Sequence, residues 1–122
     1  MTVIIASTPV SKKVTNSQER LENIFHCVDS IKSDLNKCTK MPAEHPIHLF
    51  NFLCGCDEIA YKYLPDSHEL QRRKNNGKYK TILTEVSDFY TTYFPDAQSV
   101  LYRIEINSKE QIRGYIFLLN LV

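Results

Sequence analysis

Between Pro46 and Leu64 the chain reads PIHLFNFLCGCDEIAYKYL, and its apolar residues recur at helical spacing on more than one side. One stripe is Leu49, Phe52, Leu53, Cys56, Ile59, Ala60 and Tyr63, and a second is Phe50, Cys54 and Tyr61. A helix apolar on several sides sits between layers, so this stretch is expected to be a central helix, opened by Pro46 and stopped before Pro65. Gly55, in its middle, weakens such a helix by roughly 1 kcal/mol relative to alanine.

On the N-terminal side, Leu21, Ile24, Phe25, Val28, Ile31, Leu35 and Cys38 fall at spacings of three and four, with Arg20, Glu22, Asp29, Lys32, Asp34 and Lys37 between them. Overlapping capping boxes from Thr15 to Glu19 start this one-faced amphipathic helix, and it is expected to end near Thr39. Thr2–Ala6 is a short β-branched run that reads as a strand, followed by a polar connector. On the C-terminal side, Asp66-Ser67-His68-Glu69 opens a polar segment whose one apolar anchor before Tyr79 is Leu70, which predicts a short exposed helix ending at Asn75-Asn76-Gly77. A third amphipathic helix is expected from Tyr79, through Ile82, Leu83, Val86, Phe89, Tyr90, Tyr93 and Phe94, to the stop at Pro95.

The period then changes to two. Val100, Tyr102, Ile104 and Ile106 alternate with Leu101, Arg103 and Glu105, and Ile112–Val122 is a second apolar strand, so the tail reads as a hairpin. The expected fold is α+β, a single domain over residues 1–122: three main amphipathic helices packed with a small antiparallel sheet, made of the C-terminal hairpin and open to the N-terminal strand.

Composition narrows the function classes. The chain is 43% hydrophobic and 24% charged, as globular domains are, and its 15 basic and 14 acidic side chains leave a net charge of +1. No global field therefore draws it to nucleic acid or anionic lipid. No run of about 18 apolar residues is present to span a bilayer, and the N-terminus lacks a basic region, so a cytoplasmic protein that does not enter membranes is expected. In that compartment Cys27, Cys38, Cys54 and Cys56 are expected to be reduced thiols, although their even number would also permit a disulfide framework in an oxidising one.

Four kinds of chemistry are conceivable. A zinc site would draw on His45, His48, Cys54 and Cys56, but thiols two residues apart point away from each other on a helix, and buried core cysteines explain the same letters. Nucleic acid would be met by Arg72, Arg73, Lys74, Lys78 and Lys80, with Tyr79 to stack a base; Glu69 and Glu85 flank that cluster and no reader motif accompanies it. Catalysis has bases in His26, His48 and His68 but no nucleotide loop, nucleophile elbow or metalloprotease motif, and adjacent Asp57 and Glu58 diverge. No catalytic residue and no cofactor is expected. The remaining class is interaction: a terminal strand apolar on both faces asks for cover, and Tyr90, Tyr93, Tyr102, Tyr115, Phe117 and Leu119 are of the types that interfaces favour. The reading is a small non-catalytic interaction or regulatory protein, pairing with a protein partner or with itself as a homodimer, with nucleic-acid binding through residues 72–80 as the alternative.

Overall fold

A computed structural model describes residues 9–42 and 48–122; side chains in the first helix are described from Glu19 onward. Helix α1 (Pro9–Asn36) is followed by β1 (Leu49–Cys54), β2 (Asp57–Leu64), β3 (Glu69–Lys74), β4 (Lys80–Leu83), β5 (Val86–Phe94), β6 (Ser99–Ile106) and β7 (Glu110–Phe117). All pairings are antiparallel between chain neighbours, giving a four-stranded sheet β1-β2-β3-β4 and a three-stranded sheet β5-β6-β7. The protein is thus mainly β with one helix, which corrects the α+β expectation of three helices on a small sheet.

Helix α1 lies across the inner faces of both sheets. Ile24, Cys27, Val28, Ile31, Leu35 and Cys38 form its buried stripe, while Leu21 and Phe25, expected in that stripe, are exposed. The core continues through Phe50, Phe52, Ile59, Tyr61, Tyr63 and Leu70 of one sheet and Val86, Phe89, Val100, Tyr102, Ile104 and Ile106 of the other. Beyond β7 the tail folds back to the end of α1. Asn120 Nδ2 donates to the Asn36 carbonyl at 2.6 Å and Val122 N to the Thr39 carbonyl at 2.9 Å. Carbonyls of the last helical turn lack partners within the helix, so the tail satisfies groups that would otherwise need water.

Each missed strand has a local cause. The expected central helix is the β1–β2 hairpin, in which Phe50 and Phe52 face inward opposite Tyr61 and Ile59. Its apolar residues on several sides come from two strands folded against each other. Gly55 stands at φ 64° in the two-residue turn, the first loop position of a type II′ turn, where glycine costs nothing. The polar segment is β3, an inner strand of its sheet, because the inward position after Leu70 is Arg72, whose charge is met by Asp34 of α1. The expected third helix is split between β4 and β5. A bulge at the start of β5 lets Val86 and Phe89 both face inward at a separation of three residues, imitating helical spacing. The expected Thr2–Ala6 strand lies outside the described residues.

Candidate protein-interaction surface

The antiparallel register of β5, β6 and β7 decides which side chains share the outer face. In β6 the alternate residues Val100, Tyr102, Ile104 and Ile106 are buried against α1, so Leu101, Arg103 and Glu105 turn outward. Across the sheet this makes three rows: Tyr90, Arg103 and Arg113; then Thr92, Leu101 and Tyr115; then Phe94, Ser99 and Phe117. Tyr115 is 65% exposed, Phe117 61%, and Leu119, just beyond the strand, 83%. The Phe94 and Tyr115 rings lie 6.5 Å apart in a tilted pair, so they keep each other in place but are not covered.

Four half-exposed aromatics and a leucine leave on the order of 500 Å² of apolar area in water, within the range of the largest patches on monomeric proteins. A standard interface buries about 800 Å² per partner, so the patch supplies the centre of one and the polar residues around it supply the rim. That rim is charged. Arg103 Nη2 donates to Asp88 at 3.0 Å, its guanidinium stands 5.6 Å over the Tyr90 ring, and its Nε is buried without an acceptor. Arg113, directly opposite Arg103, forms no ion pair among the described residues. Between them lies a cavity of about 250 Å³ lined by Tyr90, Leu101, Arg103, Arg113 and Tyr115.

The other expected site residues are distributed as follows. Tyr90, Tyr115, Phe117 and Leu119 share this surface, but Tyr102 is 3% exposed and faces the core, and Tyr93 is half-buried on the inner side. Tyr102 lies so close to Gly114 that a Cβ there would stand 2.8 Å from its hydroxyl. Phe94, Leu101, Arg103 and Arg113 complete the face; the period-two alternation of β6 is the sequence signal for Leu101 and Arg103, and Phe94 and Arg113 join them only through the register.

The basic segment does not form one surface. Arg72 points inward, with Nε 2.8 Å and Nη2 3.0 Å from the two carboxylate oxygens of Asp34, which also accepts from the Tyr61 hydroxyl. The Asp34 carboxylate holds Arg72 still more firmly protonated than usual, and burial together with Asp34 pushes the Tyr61 hydroxyl up. Arg73 lies on the outer face over the Tyr79 ring at 4.7 Å, with Glu58 at 3.9 Å, and Lys74 reaches Asp57 at 3.6 Å. Lys78 and Lys80 are exposed.

Of the zinc candidates, His45 lies outside the described residues, His48 packs edge-on to Tyr63, Cys54 donates from Sγ to the Asp34 carbonyl, and Cys56 is exposed in the β1–β2 turn. Among the described residues no group of three or more histidine, cysteine or acidic side chains is placed to hold a metal ion. His26 and His68 are exposed, on α1 and in the β2–β3 turn. No described helix is long and apolar enough to cross a membrane. The chain matches no family model and no curated protein at a significant level.

Proposed function

We propose that this is a non-catalytic interaction or regulatory protein that binds another protein chain through the outer face of β5–β7. The observation that carries the reading is the cluster of exposed aromatics at positions 90, 94, 115 and 117, which the register distributes over three neighbouring rows of one face that no described element covers. Fully exposed aromatic rings are costly to keep in water and are enriched where partners dock. The rest of the chain supports this use: α1 and the inner faces are already satisfied by one another, so the outer face is free to differ from what stability requires. The four unpaired cysteines suit a reducing, cytoplasmic setting. Nucleic-acid binding through residues 72–80 is less well supported, because Arg72, Arg73 and Lys74 each have an acidic partner.

Native mass spectrometry of the untagged protein in reducing buffer tests the reading. The wild type is expected as a dimer or with a bound protein, and Tyr115→Asp or Phe117→Asp as a bare monomer that still unfolds cooperatively. Global unfolding of both variants, or a bare wild-type monomer that also binds no extended peptide, would overturn it.

A further inference from the structure

The cavity between Arg103 and Arg113 says what kind of chain the face takes. Resting on the interaction reading above, we infer that the partner contributes an extended segment laid along β7, with a carboxylate side chain seated between the two guanidiniums and an apolar side chain two residues away against Tyr115 and Phe117.

Two observations of charge and hydrogen bonding lead there. Like charges directly opposite on one face of a sheet repel, and Arg103 and Arg113 are such a pair: Asp88 is taken by Arg103, Glu105 in the next row accepts from Ser87 and Gln111, and Arg113 has no ion pair among the described residues. Arg103 Nε is buried with no acceptor, and a guanidinium has five N–H donors to satisfy, so the site is short of acceptors as well as of negative charge. A carboxylate supplies both, accepting from two arginines in charge-assisted bonds.

The cavity, about 250 Å³, falls below the ~300–1,000 Å³ of small-molecule sites and suits one side chain rather than a cofactor. β7 pairs with β6 alone among the described strands, so no described strand pairs with its other edge. Strand addition to such an edge gives main-chain hydrogen bonds for affinity and alternate side-chain pockets for specificity. The two-residue period of an added strand matches the step from the arginine row to the tyrosine row. A second copy is a poorer occupant wherever the two-fold axis runs near the arginine pair, since it then sets the arginines of one protomer against those of the other.

The test uses fluorescein-labelled hexapeptides Thr-Z-Thr-Φ-Thr-Φ, with Z fixed as Glu, Gln or Lys and Φ drawn from Val, Ile, Tyr and Phe, titrated against the full chain by anisotropy. The Glu pool is expected to bind at least about tenfold more tightly than the Gln pool, and the Lys pool not at all. Arg113→Glu is expected to abolish Glu-pool binding and to gain Lys-pool binding with its melting curve unchanged, while Lys78→Glu, on the other sheet, leaves the preference as it was. Equal binding of the three pools would overturn the carboxylate inference and leave the interaction reading standing. Binding of none, with the wild type dimeric in native mass spectra, would make the occupant a second copy; binding of none by a bare monomer would overturn both.

Discussion

Replacing Arg72 by methionine isolates the charge that joins the helix to the sheets. In the native protein two N–H bonds, 2.8 and 3.0 Å long, run from this side chain to Asp34, and the Arg72 and Asp34 side chains are 28% and 12% exposed. Removing one member of a fully buried pair costs about 3–5 kcal/mol, because the other charge is left without compensation. Arg72 is a quarter exposed and Asp34 keeps the Tyr61 hydroxyl, so the expected cost here is smaller, about 2–4 kcal/mol. Asp34→Leu leaves the more exposed partner stranded and should cost about 1.5–3 kcal/mol. The double variant Asp34→Leu, Arg72→Met has no charge to strand and should lie within about 1 kcal/mol of wild type, giving a coupling energy of about 3–6 kcal/mol. Urea unfolding of the four proteins, with equal m-values, measures this cycle. A cost under about 1 kcal/mol for Arg72→Met would refute the reasoning. Arg72 would then be an ordinary surface cation, free for phosphates, and the nucleic-acid reading would regain its leading residue.

Two further outcomes follow from the packing. Gly114→Ala would place a Cβ 2.8 Å from the Tyr102 hydroxyl, so it should destabilise by about 1–3 kcal/mol in thermal melts, and by less in a Tyr102→Phe background, which lacks the nearest atom. Burial pushes the Cys27 thiol up to about 12 and the Cys38 thiol up to about 11, from 9.0. Below pH 9 both states hold these protons; above it the unfolded chain releases them first, so stability falls as pH rises. The loss from pH 9 to 10 should be about 1–2 kcal/mol in urea titrations, and Cys27→Ala should remove about half of that slope. A flat profile would contradict the burial of these thiols.

Helix α1 and the β6–β7 hairpin were legible because each obeys one period over a long run: three and four from Ile24 to Cys38, two from Val100 to Ile106. The segments from 46 to 94 were not, for physical reasons that differ from place to place. Aromatic residues at every second position of β1 and β2 overlap a helical stripe wherever hairpin strands are read as one run, and Gly55 was the mark of the turn between them. In β3 the inward charge of Arg72 hid the strand, since its partner Asp34 lies 38 residues away in sequence. In β5 a bulge shifted the alternation. The candidate surface was half legible: Tyr90, Tyr115 and Phe117 could be named by residue type, but separating them from Tyr102 required the strand phase, and joining them to Arg103 and Arg113 required the register of three strands.

Amide hydrogen exchange, read strand by strand, on the protein as it purifies and on the Tyr115→Asp, Phe117→Asp double variant, tests the interaction surface most directly. The account predicts that β7 is protected in the wild type and loses that protection in the variant, while β1–β4 and α1 exchange alike in both. Equal exchange of β7 in the two proteins, or loss of protection throughout the variant, would contradict it.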